Sequence, residues 1–315
     1  MRTVLHKSKQ YWLVALKVLV LGLTFAYIYY KIASGNTLQW QVFSSEIQSK
    51  NFIYILFFIV LATINWTLEI AKWQTAVSKT TSISFSEATK QSLMALTVSL
   101  PTPNRIGDYG AKAFFYPLEK RKEILLLNFI SSSAQMAVTC FFGAIGLLIL
   151  AMDYELPISE TKLGIFLLVV LLAMVLGYLF RRKQLLVKGL SALNVVRYFK
   201  NLPVSIKLKL VLFSVLRYVI FGFLFYFVLV FFEGDLTILK AAPLIGAMYL
   251  LVSIVPSFLL FDVVIRGGVA VWLFSFAEIP ELPVLFTVFT MWLLNFILPA
   301  LMGSWYVLSY KTEHR

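Results

Sequence analysis

Asp108 and Lys112 stand four residues apart, and so do Asp262 and Arg266, in a chain that otherwise carries little charge. Four residues is the spacing that stacks two side chains on one helical face, so each pair can meet if a helix runs through it. The first pair lies in LPTPNRIGDYGAKAFFYP (100–117) and the second in VPSFLLFDVVIRGGVAVWLF (255–274). Each acid also falls near the predicted start of a short helix, where the dipole and unpaired amides favour an anion. Arg105 and Arg217 add two guanidinium groups; such a group is costly to bury and suits two-pronged binding of phosphate or carboxylate. The chemistry these six residues offer is anion recognition. The structural alternative is that the acids cap their helices and the cations pair with them, holding each hairpin closed. His6 and His314 lie at opposite ends of the chain, which argues against a histidine-ligated metal or a Ser/His/Asp triad. No catalytic residue, metal ligand or cofactor is therefore assigned.

The elements that position these residues are set by composition. With 60% hydrophobic residues, 14% charged residues and a mean hydropathy of +0.85, the chain reads as an integral membrane protein. Apolar runs long enough to cross a hydrocarbon core of about 30 Å fall at 11–30, 52–71, 124–151, 163–180, 210–232 and 284–308. The run at 11–30 follows Arg2, Lys7 and Lys9 but is too long and aromatic for a secretory signal, so a retained anchor is expected. The single cysteine, Cys140, lies in an apolar run and allows no internal disulfide.

The formal charge of +13 does not point to nucleic acid, because its basic residues cluster beside apolar runs, as in KRK at 120–122 and RRK at 181–183. The positive-inside rule places both termini, 72–122 and 181–209 in the cytoplasm, with the acidic loops opposite. This much basic charge also favours contact with anionic membrane lipids.

A shift of 154 residues brings Met94 onto Met248, Ser99 onto Ser253, Asp108 onto Asp262 and Lys112 onto Arg266, with Pro101 and Pro256 one residue out of phase. Each motif is preceded and followed by a span. The first motif predicts a helix over 85–100, a break at 101–107 and a helix over 108–116; the second predicts helices over 237–255 and 266–277. Pro101, Pro103 and Pro256 explain the breaks, since proline removes a donor and disfavours helix before it. Gly107, Gly110, Gly267 and Gly268 are expected to mark the breaks and to allow close backbone approach. The fold expected is all-α: about six transmembrane helices plus two re-entrant helical hairpins in an inverted-topology repeat. It forms one membrane domain over 1–315, with an anchor at 1–51, repeats at 52–151 and 206–308, and a linking span at 163–180.

Other polar residues in the spans have blander readings. Glu69 and Lys72 are expected to pair at the membrane interface, and Trp40, Trp66, Trp73 and Trp305 to join the aromatic belt. Asn128, Ser131, Gln135 and Thr139 recur at helical spacing, as helix-packing groups or as a cavity lining. Arg217 is expected to contact an anionic headgroup or to neutralise Asp108 or Asp262.

The two motifs resemble the P-x-R-x-G-E-x-x-R-like and P-x₇-V-R-E/G signatures of the lysylphosphatidylglycerol synthase transmembrane-region family, also called flippase-like. Asp108 stands where that family usually has Glu, Lys112 where it often has Arg, and Gly267 where a Glu commonly follows the second Arg. The resemblance spans roughly 52–308. It implies a multi-pass protein of the bacterial inner membrane that binds an anionic phospholipid or lipid-linked amphiphile and moves it between leaflets. It does not imply lipid aminoacylation, for which no stretch of the chain is polar and long enough. The alternatives are a membrane-embedded transferase on a lipid-linked substrate with Asp108 as base, and a non-transporting partner in an envelope-assembly complex. Protein partners consistent with these readings are a second copy of the chain or an envelope enzyme.

Overall fold

The computed structural model describes residues 45, 47, 50–100, 102, 107–154, 192–254 and 259–309; for 259–262 and 192 it describes the backbone alone. The expected spans at 11–30 and 163–180 lie outside the described residues, as do Pro101, Pro103, Arg105 and Pro256.

The described chain is all helical. Helix α1 (Phe52–Val77), α2 (Phe85–Ser99), α3 (Gly107–Ala113) and α4 (Leu118–Asp153) form a first unit. A short helix α5 (Ala192–Asn201) leads into a second unit. That unit comprises α6 (Val204–Phe231), α7 (Ile238–Ile254), α8 (Leu259–Ser275) and α9 (Glu281–Ser309). Helices α1, α4, α6 and α9 are long and apolar enough to cross a membrane, and α7 and α8 are shorter apolar helices. The outward faces of the long helices carry Phe57, Phe141, Leu148, Leu212 and Trp305, a covering that suits lipid rather than water. The protein is a multi-pass membrane protein.

Local chemistry sets the helix starts. Asn51 Oδ1 accepts the Ile53 N–H at 3.0 Å, and Ser84 with Glu87 closes a capping box at α2. Helices α4, α6 and α9 each begin after a proline, at 117, 203 and 280, where its missing donor costs no helical bond.

The units pack reciprocally. Helices α1 and α6 lie antiparallel: Tyr54 and Phe58 meet Phe231, and Phe57 meets Phe227. Farther along α1, Asn65 and Glu69 meet Arg217. Helix α7 packs on α4, and α2 packs on the later half of α9. Each of these crossings is allowed by glycine. A Cβ at Gly143 would overlap Leu250 of α7, and one at Gly303 would overlap Leu93 O and Thr97 Oγ1 of α2. Within the units, α2 lies on α3 as α7 lies on α8, and α3 on α4 as α8 on α9.

Two expected helices differ. Helix α1 runs on to Val77, because Lys72 and Trp73 turn inward instead of ending the apolar run. Helix α8 starts at Leu259, not at residue 266, so Gly267 and Gly268 lie inside a helix and not at a break. Nothing between 259 and 266 interrupts backbone hydrogen bonding, since the stretch contains neither proline nor glycine. Gly110 likewise lies inside α3.

A π-helical turn at Leu293–Ile297 interrupts α9. Pro299 has no N–H to give the Asn295 carbonyl four residues back. The Trp66 indole donates to that carbonyl instead, at 3.3 Å, which ties α1 to α9 at the freed group.

Candidate functional site

A cavity of about 500 Å³ lies among the helices of both units. Its wall takes Glu69 from α1, Asp108 and Lys112 from α3, Gln135 from α4, Arg217 from α6 and Arg266 from α8. Four of the six expected binding residues therefore share one cavity. Arg105 lies outside the described residues, and so does the side chain of Asp262, whose backbone falls in the first turn of α8.

Asp108 and Lys112 meet as their spacing predicts, with Lys112 Nζ 3.3 Å from Asp108 Oδ2. Asn128 of α4 bridges them: its Nδ2 donates to Asp108 Oδ2 at 2.8 Å, and its Oδ1 accepts from Lys112 Nζ at 3.2 Å. The ammonium also lies 4.7 Å from the centre of the Trp73 ring, a favourable cation–π contact. The Trp73 indole donates to Gln91 Oε1 at 2.8 Å, as does the Tyr116 hydroxyl at 2.9 Å. This corner is charge-balanced, and each charged head has a named partner.

The break before α3 is stitched by Thr102. Its hydroxyl donates to Ser99 O at 2.6 Å and accepts the Gly107 N–H at 3.0 Å. Gly107 is needed here, because a Cβ would press on the Thr102 side chain and the Ser99 backbone at 3.0–3.1 Å. Gly267 is packed more loosely, with Leu285 3.2 Å from where a Cβ would stand. Among the described residues no close approach is found at Gly110 or Gly268, with no packing neighbour within 4 Å of either Cβ position.

A second corner is built around Glu69. Lys72 Nζ stands 2.9 Å from Glu69 Oε2, and Arg217 Nη1 donates to the same oxygen. Gln135 Oε1 accepts from Lys72 at 3.2 Å and from Arg217 at 3.3 Å. Arg217 Nε donates to Asn65 Oδ1 at 3.3 Å, and Asn65 Nδ2 to Asn295 Oδ1 at 3.0 Å. This corner corrects one expectation and adds a partner to another. Lys72 is only 2% exposed, so Glu69 and Lys72 are not an interfacial pair. Arg217 takes Glu69 as its ion partner, because antiparallel packing of α1 on α6 brings them together. Trp66 and Trp73 also face inward, away from any aromatic belt, whereas Trp305 is exposed and Trp40 lies outside the described residues.

Arg266 closes the wall from α8, its guanidinium 5.6 Å from the centre of the Phe296 ring. On α4 the polar face divides: Gln135 and Thr139 line the cavity, while Asn128 and Ser131 are buried. Sequence reading missed Glu69, Asn65 and Asn295 as site residues. The spacing of Asn65, Glu69 and Lys72 on one helical face was the available signal. Asn295 gave none beyond being polar in an apolar run.

No protein-family model matches the chain, and no curated protein matches it either.

Proposed function

We propose that the chain is a flippase-like protein of a bacterial inner membrane. It binds an anionic lipid or lipid-linked amphiphile in the central cavity and moves the headgroup between leaflets. The observation that carries this reading is a headgroup-sized cavity inside an apolar helical bundle, with Lys112, Arg217 and Arg266 on its wall. Ionisable groups at membrane depth are costly and mark substrate paths. The resemblance of both polar motifs to the flippase-like signatures points the same way.

In this reading α2–α3 and α7–α8 are the re-entrant hairpins of an inverted repeat, with both termini cytoplasmic. Support comes from the antiparallel α1 and α6 and from the reciprocal packing of α2 on α9 and α7 on α4. Binding sites of inverted-repeat transporters lie where such units meet, which is where this cavity lies. A transferase with Asp108 as base is less favoured, because that carboxylate already accepts from Lys112 and Asn128.

The test is transport of fluorescent short-chain phosphatidylglycerol by proteoliposomes. The wild type should speed its movement across the bilayer, and Arg266→Ala should reduce that rate by about tenfold or more, equivalent to at least about 1.4 kcal/mol. A folded Arg266→Ala protein with the wild-type rate would remove Arg266 from the site. No acceleration by the wild type would reject lipid movement.

A further inference from the structure

We infer that Glu69 is an internal counter-ion that shares Arg217 with the ligand and thereby selects a singly charged phosphodiester over a doubly charged phosphomonoester. The inference rests on the anion-binding reading above and specifies the ligand of that same cavity.

The charges of the Glu69 corner do not balance. One carboxylate serves two cations, Lys72 from its own helix and Arg217 from α6. The neighbouring corner is balanced, one acid to one base, by Asp108 and Lys112. Taken together, the two corners keep one positive charge beside the cavity, in a setting where net charge is costly. A ligand bringing one negative charge neutralises it.

Arg217 is also built to take such a ligand. Its Nε is held by Asn65 and its Nη1 by Glu69 and Gln135. A guanidinium has five N–H donors, and Nη2 makes no hydrogen bond among the described residues. The side chain is 20% exposed and lines the cavity. A second observation points to an incomplete site: Ser92 of α2 lines the same cavity, is 3% exposed, and its hydroxyl has no hydrogen-bond partner among the described residues. Buried polar groups are normally satisfied. A phosphate oxygen in the cavity would give Nη2 an acceptor.

When the ligand engages Arg217, Glu69 keeps Lys72 at 2.9 Å, so no buried acid is orphaned. The corner then holds two cations against two anionic charges. A phosphomonoester, dianionic above its second pKa of about 6, would leave one negative charge in excess beside Glu69. Among the described residues the other charged groups on the wall are Asp108, Lys112 and Arg266. These three are common to the wild type and the variants below, so a change in selectivity reports on the Glu69 corner.

The experiment measures binding to the purified full chain at about pH 7 with four probes, two soluble and two lipid. Dimethyl phosphate and methyl phosphate are the free diester and monoester; dihexanoyl phosphatidylglycerol and dihexanoyl phosphatidic acid are their lipid counterparts. The wild type should prefer the diester within whichever source it binds. Binding of the lipid pair alone assigns the phosphate to a headgroup; equal binding of the soluble pair assigns it to a free anion. Glu69→Gln should tighten the monoester by about tenfold and invert the preference. Lys72→Gln, which leaves a balanced Glu69–Arg217 pair, should weaken the diester by about tenfold although Lys72 does not line the cavity. That second variant decides the matter if Glu69→Gln does not fold. A folded Glu69→Gln protein that keeps the wild-type preference, or a folded Lys72→Gln protein that keeps the wild-type affinity, would overturn the inference and leave anion binding standing. Failure of the wild type to bind any of the four would reject the anion-binding reading itself.

Discussion

The two charged corners of the cavity use similar residues to different ends. In the Asp108 corner, one acid, one base and one amide close on each other, and Trp73 covers the ammonium. In the Glu69 corner, one acid holds two bases, and one of those, Arg217, keeps donors turned to no protein acceptor among the described residues. The difference separates holding from binding. A balanced, satisfied buried pair fixes a hairpin on its neighbouring helix. An unbalanced one leaves charge and hydrogen-bonding capacity for something else.

The largest effect on the fold should come from the closed corner. Lys112→Met leaves the partly buried Asp108 carboxylate without its cation, which costs about 2 kcal/mol. Thermal unfolding of purified protein should register it, and Asp108→Asn added to Lys112→Met should recover most of the loss. If Lys112→Met unfolds like the wild type, the closed corner has no structural role and the contrast fails.

Arg217→Gln in the open corner should do the reverse. Glu69 keeps Lys72, so stability should fall by only about 1 kcal/mol, while phosphatidylglycerol movement in proteoliposomes should fall about tenfold or more. Loss of folding on the scale of Lys112→Met would place Arg217 with the structural residues.

Trp66→Phe sharpens the contrast from outside both corners. It removes the donor to the Asn295 carbonyl that Pro299 leaves free, at a cost of about 1 kcal/mol in stability, without touching either ion cluster. Gly110→Ala should have the smallest effect. Open space meets its Cβ and alanine is the better helix former, so stability should hold or rise by up to about 1 kcal/mol. Destabilisation at this position would mean that α3 changes shape or meets a partner.

Much of the fold was legible because lipid imposes a simple rule: a run of apolar residues about 20 long becomes a helix. The runs at 52–71, 124–151 and 284–308 lie within long helices, and the run at 210–232 overruns its helix by one residue. The ends were less legible where charge turned inward. The apolar run ends at residue 71, yet the helix continues through Lys72, which is buried against Glu69 and Gln135. The Asp108–Lys112 contact was visible because it is local. The Arg217–Glu69 contact was not, since 148 residues separate the two and only antiparallel packing of α1 on α6 joins them. Asn128 could be placed on a polar face by spacing alone, but that spacing could not say that it would bridge an ion pair.

Native mass spectrometry of the gently purified protein tests most directly whether the cavity holds an anionic lipid through its arginines. The wild type should carry an anionic lipid enriched over the bulk membrane, and the Arg217→Gln/Arg266→Ala double variant should lose that enrichment while remaining folded. Identical lipid profiles in two folded proteins, both matching the bulk membrane, would contradict the account.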